Sequence, residues 1–159
     1  MPMKGEKIVI IDNVRSAHNV GSIFRTSEGA GVSHIILAGY TPSPTDRFGR
    51  IQPEIAKTSL GASSMIPFEK LGSEEEITQR ITKLKSDGFT IVALEQTPQS
   101  ISMYDFLVPT KVAYIVGNEI DGVRHNLIDV CDLVVEIPMA GEKESLNVAV
   151  ATGILLFHF

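Results

Sequence analysis

The sequence predicts an α/β fold with a mostly parallel sheet and helices on both faces of that sheet. Two observations predict it. Short apolar runs recur along the chain, and segments with helical spacing lie between them. Continuous apolar runs without alternation are typical of strands that are covered on both faces. Strands that alternate with helices are the pattern of α/β proteins.

The five predicted strands share a high content of β-branched residues. They are residues 8–11, 34–37, 90–94, 112–116 and 133–137. With 159 residues, no internal repeat and no linker, the chain is predicted to be one domain over residues 1–159.

Three segments are predicted helices. Residues 19–30 place Val20, Ile23 and Phe24 on one stripe, before Gly29 and Gly31. Ser-x-x-Glu at 73–76 is a capping box and begins a helix that ends at Asp87-Gly88. From residue 146 onward apolar side chains cover every side, so this helix should be buried or pressed against a partner. Residues 40–52 contain prolines without periodicity and predict an exposed loop.

Composition excludes several classes of protein. Lys and Arg number 14 and Asp and Glu number 19, so a generally basic nucleic-acid coating protein is excluded, although a local basic patch is not. Cys131 is the only cysteine, which excludes an internal disulfide and indicates a reducing compartment. The four histidines show no metal-ligand spacing, so no metal is expected. The longest weakly polar stretch is shorter than the roughly 20 residues of a membrane span. We therefore expect a soluble cytoplasmic protein.

Two polar segments lie where ligands collect in a parallel sheet, near the carboxyl ends of strands. The first runs from Asn19 to Arg25-Thr26 and opens the first helix, with Asn19 as expected N-cap. The second, Gly117-Asn118-Glu119-Ile-Asp-Gly122, ends a strand in a turn with bare backbone and a carboxylate. From the residues alone, the first can be a cap with a solvated arginine, and the second a tight turn.

The third segment runs from Ile137-Pro138-Met139 to Ser145-Leu146-Asn147-Val. Ser145 is predicted to cap the last helix, whose free amides would then bind an anion or a polar edge of a ligand. Asn147 is a polar residue at the start of an apolar helix, and burying it without partners would cost about 1–3 kcal/mol. A structural hydrogen bond or a ligand must therefore satisfy it.

In this order and at these separations, the three segments resemble the three motifs of the SpoU (TrmH) family of RNA ribose 2′-O-methyltransferases, in the SPOUT superfamily. The resemblance covers about residues 7–157. It implies a deep trefoil knot near the C-terminus, S-adenosylmethionine bound in that knot, and a homodimer, which agrees with the apolar last helix.

The resemblance also implies functional residues. The predicted catalytic residues are Asn19, Arg25, Glu119, Ser145 and Asn147. Because a guanidinium stays protonated, we expect Arg25 to grip a phosphate and stabilise the developing alkoxide instead of acting as a base. Asn19, Ser145 and Asn147 would position Arg25 and the ribose, and Glu119 would orient the arginine or a loop amide.

Two further sets of residues are predicted to bind the cofactor and the RNA. The cofactor set is Leu94, Gly117, Asn118, Glu119, Ile137, Pro138, Met139 and Leu146. The RNA-binding set is Arg15, Arg25, Arg47 and Arg50. No separate RNA-binding domain is expected, so target choice would depend on the core and on the loop at 40–52.

The resulting prediction is an S-adenosylmethionine-dependent enzyme that methylates a ribose 2′-hydroxyl of tRNA or rRNA. Two alternatives stay open. One is a non-catalytic RNA-binding dimer of the same fold, and the other is an α/β enzyme that binds a nucleotide or metabolite.

Overall fold

A seven-stranded sheet organises the computed structural model, which describes residues 5–159. Its strands are β1 (Glu6–Asp12), β2 (His34–Ala38), β3 (Phe68–Leu71), β4 (Thr90–Leu94), β5 (Ile101–Ser102), β6 (Lys111–Val116) and β7 (Leu133–Glu136). Their order in the sheet is β3-β2-β1-β6-β4-β7-β5. Every pair of neighbouring strands is parallel. All carboxyl ends therefore meet at one edge of the sheet.

Within residues 5–159, five α-helices cover the two faces of the sheet. They are α1 (Ala17–Gly29), α2 (Pro53–Ser59), α3 (Glu74–Ser86), α4 (His125–Val130) and α5 (Val148–Leu156). Phe24 of α1, Ile55 of α2 and Leu155 of α5 belong to one buried layer. Ile77 of α3 and Leu127 of α4 belong to the other. The predicted α/β architecture with helices on both faces is confirmed.

Strand β1 shows why the apolar runs are continuous. Val9 and Ile11 pack in the layer of α1 and α5, while Ile8 and Ile10 pack in the layer of α3. Lys7 extends this strand and is also buried. Its Nζ donates to the Leu156 carbonyl at 2.9 Å, at the C-terminal end of α5, where the helix dipole favours a cation.

The five predicted strands all exist, with bounds that differ by at most two residues, but two strands and two α-helices within residues 5–159 were not predicted. Strand β3 reads Phe-Glu-Lys-Leu and is an edge strand without a fully buried residue, so it lacks the continuous apolar run. Strand β5 has two residues. Helices α2 and α4 have seven and six residues, too few to show helical periodicity.

Two predicted helix caps are wrong. Helix α1 begins before residue 19, because the Ser16 side chain accepts from the Asn19 backbone N–H at 3.1 Å and is the N-cap. Helix α5 is capped by Asn147, whose Oδ1 accepts from the backbone N–H groups of Ala149 and Val150. Ser145 lies too far before the helix to cap it. The capping box of Ser73 and Glu76 is confirmed.

Helix α5 is only partly buried. Leu155 and Leu156 are fully covered, whereas Val150, Ile154 and Phe157 are exposed by 53%, 37% and 51%. No helix in residues 5–159 is both long and apolar enough to cross a membrane. The strand order does not trace how the chain threads, so the trefoil knot stays a prediction.

Candidate active site

A cavity of about 290 Å³ opens at the carboxyl edge of the sheet, between the segments that follow β4, β6 and β7 and the start of α5. Its walls consist of Leu94, Glu95, Gln96, Val116, Gly117, Asn118, Glu119, Ile120, Asp121, Gly122, Glu136, Ile137, Met139, Ser145, Leu146, Asn147, Val148 and Ala151. The second and third predicted motif segments therefore meet at one site.

Glu119 binds the N-terminus of α1. One carboxylate oxygen accepts from the Ser16 backbone N–H at 3.2 Å and from Asn19 Nδ2 at 3.3 Å, and the other accepts from the Arg15 N–H at 3.3 Å. A helix N-terminus favours a negative charge. Desolvation acts to raise the pKa of Glu119, but hydrogen bonds from its own backbone, Asn19, Ser16 and Arg15 outweigh it and lower that pKa. The carboxylate is therefore ionised at neutral pH.

The side chain of Asn19 links Glu119 to α5. Its Nδ2 donates to Glu119, and its Oδ1 accepts from Asn147 Nδ2 at 3.2 Å. Asn19 is buried, so both ends of its amide are satisfied within the protein. The resulting chain Asn147–Asn19–Glu119, named here the amide relay, joins all three motif segments. Asn147 thus caps α5 with its oxygen and reaches the site with its nitrogen.

Asn118 fixes the turn after β6. Its Oδ1 accepts from the backbone N–H groups of Ile120 and Asp121 at 2.8 and 3.0 Å. Its Nδ2 donates to the Asn13 carbonyl at 2.8 Å and to the Tyr40 hydroxyl at 2.9 Å. The same side chain therefore ties this turn to the turns that follow β1 and β2.

Two glycines let this turn close on itself. A Cβ on Gly117 would lie 2.4 Å from the Gly122 carbonyl carbon and the Val123 nitrogen. Gly122 has a φ of +72°, and a Cβ there would lie 2.0 Å from Glu95 Oε2. That same Glu95 oxygen accepts from the Val123 N–H at 3.0 Å. A side chain at residue 122 would therefore displace a carboxylate that lines the cavity.

The electrostatics of the cavity favour a ligand that carries positive charge. Four carboxylates line it, those of Glu95, Glu119, Asp121 and Glu136. Leu94, Ile137 and Leu146 supply apolar wall, again from the ends of the strands or the start of α5. Such a mixture of apolar surface with a few convergent polar groups is typical of small-molecule sites.

The structure brings together most of the predicted site residues. Seven of the eight predicted cofactor residues line the cavity, and the exception is Pro138, which is exposed and outside the lining. Ser145 lines the cavity, and its hydroxyl has no hydrogen-bond partner within residues 5–159. The prediction missed three acidic residues of the cavity wall: Glu95, Asp121 and Glu136. Glu95 could have been found, because it directly follows the predicted strand 90–94, where ligands of a parallel sheet collect.

Arg25 does not join the amide relay. It is exposed on α1, and within the described part of the chain no hydrogen bond or ion pair holds its guanidinium. Six residues separate it from Asn19, a rise of about 9 Å along a helix. Arg15 lies closer to the turns, with its guanidinium carbon 5.8 Å from the centre of the Tyr40 ring. Arg47 and Arg50 lie on the exposed loop.

Comparison with known protein families gives a match over almost the whole chain. Residues 6–157 match the model of the SpoU rRNA Methylase family. A 23S rRNA (guanosine-2′-O-)-methyltransferase RlmB from Xanthomonas axonopodis is 33% identical over 151 residues, which cover 95% of this chain and 57% of that protein. An uncharacterized tRNA/rRNA methyltransferase from Archaeoglobus fulgidus is 35% identical over 96% of this chain and 63% of its own length.

Solved structures give the same result for the fold. The crystal structure of an AdoMet-bound rRNA methyltransferase from Sinorhizobium meliloti superposes with a TM-score of 0.84 and 32% sequence identity. The match covers 99% of this chain and 56% of that protein. The chain therefore spans little more than half the length of several relatives that it matches.

Proposed function

Because the chain belongs to the SpoU rRNA methylase family, we propose that it transfers a methyl group from S-adenosylmethionine to a ribose 2′-hydroxyl of tRNA or rRNA. The observation that carries this proposal is the amide relay, which joins the first motif segment to the second and third, the two segments that line the cavity. In this proposal, residues 1–159 are one methyltransferase domain that recognises RNA with its own surface. The single cysteine favours a cytoplasmic location.

The cavity residues fit S-adenosylmethionine. The cofactor carries a net positive charge and an aromatic purine with flat apolar faces, and the cavity combines carboxylates with apolar side chains. Leu94, Ile137 and Leu146 would contact the purine, and the backbone of the turn at Gly117 would approach it closely. Pro138, although it lies outside the lining, stays part of the predicted set. When bound, the cofactor supplies an electrophilic methyl group on its sulfonium.

Arg25 would act on the RNA. Its guanidinium offers a planar pair of N–H donors that match a phosphate and that would stabilise the negative charge on the ribose oxygen as its proton passes to solvent water. The amide relay would position the ribose, with Asn147 and Ser145 facing it from the cavity wall. The Glu119 carboxylate accepts from the backbone amides of Arg15 and Ser16 and from the Asn19 side chain, so it would hold the loop and not the arginine.

We also propose a homodimer that forms through α5. Val150, Ile154 and Phe157 recur at helical spacing and form an exposed apolar stripe. A second copy on this stripe would cover it and would place α1, which packs beside α5, at the boundary between subunits. Sedimentation tests this: Ile154→Lys should yield a monomer, whereas Leu107→Lys, at a 90% exposed leucine outside the stripe, should not.

Transfer of labelled methyl groups tests the activity. Purified protein is incubated with labelled S-adenosylmethionine and undermethylated RNA, beside Arg25→Ala, Arg25→Lys and the control Glu28→Ala, a second exposed residue of α1. We expect transfer by the wild type and the control, and a loss of roughly 100- to 1000-fold in Arg25→Ala, the usual effect of removing an oxyanion donor. Arg25→Lys should stay impaired because an ammonium lacks the planar fork.

Two results would contradict the proposal. Cofactor binding without transfer to any tRNA or rRNA would favour the non-catalytic RNA-binding dimer. A protein that binds mononucleotides but not S-adenosylmethionine would favour the nucleotide or metabolite enzyme. If Arg25→Lys turned over normally, the role of a planar fork would be wrong.

A further inference from the structure

Phe48 is an exposed aromatic ring between two arginines. It lies at the tip of the loop at 40–52 and is 67% exposed. The guanidinium carbons of Arg47 and Arg50 lie 4.8 and 5.2 Å from the centre of its ring. These distances fall within the range of cation–π contacts.

Hydrogen bonds hold this ring away from the protein. Asp46 accepts from the backbone N–H groups of Phe48 and Arg50 at 2.8 and 2.9 Å and from Arg50 Nε at 2.6 Å. The Gly49 N–H closes the turn on the Asp46 carbonyl at 2.9 Å. The bonds to the Asp46 carboxylate, above all the one from the Arg50 backbone, lower its pKa. The hydrogen bonds of the turn therefore hold Phe48 in its exposed position.

The surroundings of Phe48 are positively charged. Arg47, Arg50 and Lys70 line a surface cavity of about 620 Å³ at the base of the loop, and Asp46 is the only carboxylate among the lining residues. In a chain of net charge −5, this is a local basic surface. Its charge complements a phosphate backbone, while the ring has no apolar role in the core.

The same loop begins at the wall of the candidate active site. The Tyr40 hydroxyl accepts from Asn118 Nδ2 at 2.9 Å, and Tyr40 is itself half exposed beneath the Arg15 guanidinium. Tyr40 is thus a second aromatic ring paired with arginine, and it stands at the start of the same loop. The loop carries aromatic and basic groups both at its start, beside the cavity wall, and at its tip.

We propose that Phe48 is a stacking platform for an unpaired nucleobase of the substrate RNA, with Arg47 and Arg50 on the adjoining phosphates. This inference rests on the proposed function, since it names how the substrate of that site is held. Every base has an aromatic face, so stacking tolerates many sequences but requires an unpaired base. The partner is therefore a single-stranded loop or bulge and not a continuous duplex.

Fluorescence of a tryptophan at this position tests the contact directly. The chain has no tryptophan, so Phe48→Trp provides a single tryptophan, which is excited at wavelengths where the three tyrosines do not absorb. The matched control is Leu107→Trp, at a leucine that is 90% exposed. Leu107 precedes the amino end of β6, whereas the loop of Phe48 follows the carboxyl end of β2. We expect a single-stranded oligoribonucleotide to quench Phe48→Trp but not Leu107→Trp, and the matching duplex to quench neither.

RNA affinity provides the second readout. Phe48→Ala should weaken binding of the undermethylated RNA roughly 5- to 150-fold, the usual effect of removing one stacking ring. Phe48→Tyr should restore binding, and the affinity for S-adenosylmethionine should not change in either variant. Arg47→Ala should instead reduce the salt dependence of binding by about 0.7 in the slope of log K against log salt.

The outcomes separate this inference from the proposed function. Wild-type methyl transfer together with unchanged RNA binding by Phe48→Ala would overturn the stacking role alone. Quenching of Phe48→Trp by RNA without any methyl transfer would overturn the proposed reaction and support the stacking site. Quenching by vesicles of anionic lipid but not by RNA would identify a membrane contact and overturn the inference.

Discussion

Replacing Gly122 with alanine tests how the turn after β6 builds the candidate active site. Its φ of +72° is a left-handed conformation, and the new Cβ would lie 2.0 Å from Glu95 Oε2. Because Glu95 is a flexible side chain, we expect it to swing away and lose its hydrogen bond to the Val123 N–H. The backbone strain at residue 122 and the lost hydrogen bond both destabilise the native protein, but only the lost hydrogen bond involves a residue of the cavity wall.

The two contributions can be estimated separately. A left-handed conformation costs a residue with a Cβ about 1–2 kcal/mol. A hydrogen bond to a charged acceptor contributes about 1.5–3 kcal/mol. The free energy of unfolding of Gly122→Ala should therefore fall by about 2.5–5 kcal/mol, the sum of the two.

Gly61→Ala is the matched control. Gly61 has a φ of +88°, and a Cβ there meets no atom within 4 Å, so only the backbone strain applies. Urea denaturation should show a loss of about 1–2 kcal/mol for this control. Titration calorimetry should show weaker binding of S-adenosylmethionine to Gly122→Ala, because Glu95 moves at the cavity wall, and unchanged binding to Gly61→Ala.

A double variant sharpens the comparison. In the Gly122→Ala background, Glu95→Ala should add little further destabilisation, because the hydrogen bond is already lost. Equal losses in Gly122→Ala and Gly61→Ala would refute the reasoning. Fully additive losses in the double variant would do the same, since they would show that the two residues are not coupled.

Four further predictions follow from single groups. Glu119→Gln should lose stability at pH 7, measured by urea denaturation, because a lowered folded-state pKa stabilises the protein above the unfolded pKa of about 4.3. The loss should shrink as the pH falls below the unfolded pKa and through the folded-state pKa; an unchanged pH dependence would contradict this. Asn147→Ala removes the cap of α5 and should lower the free energy of unfolding by about 0.5–2 kcal/mol; no change in melting temperature would exclude this role. Lys7→Met removes the ammonium that donates to the Leu156 carbonyl, so the free energy of unfolding should fall by about 1.5–3 kcal/mol. A more stable variant would contradict this, and it would show that the cost of burying the ammonium, which also lowers the pKa of Lys7, outweighs the hydrogen bond. Desolvation and Asp132 raise the pKa of Cys131 to about 12, so its alkylation at pH 8 should be roughly 1000-fold slower than in urea-unfolded protein; equal rates would refute that shift.

Five of the strands, and the convergence of the second and third motif segments at one cavity, could be predicted because each leaves a pattern in the sequence. Strands that are covered on both faces must be apolar throughout, which is why β1, β2, β4, β6 and β7 were found. Parallel strands share one carboxyl edge, which places Leu94, Gly117 and Ile137 at one cavity. Edge strand β3 gave no such signal, because its four residues Phe-Glu-Lys-Leu are neither continuously apolar nor alternating.

The helix caps were harder to predict, because several residues near each helix start can act as caps. Ser16 and Asn19 both carry suitable side chains, and local sequence does not say which one faces the helix. The tertiary contact with Glu119 decides it, since Asn19 uses its amide across the site while Ser16 caps. At α5 the helix begins at Val148, which makes Asn147 and not Ser145 the residue directly before it.

The position at which the methyl group is attached tests the central claim most directly. RNA labelled by the wild-type protein is hydrolysed in alkali, which cleaves the chain only where a free 2′-hydroxyl attacks the neighbouring phosphate. The proposed reaction predicts that the label stays in alkali-stable dinucleotides, because a methylated 2′-oxygen cannot attack. Label recovered in mononucleotides, with the methyl group on the base, would contradict it.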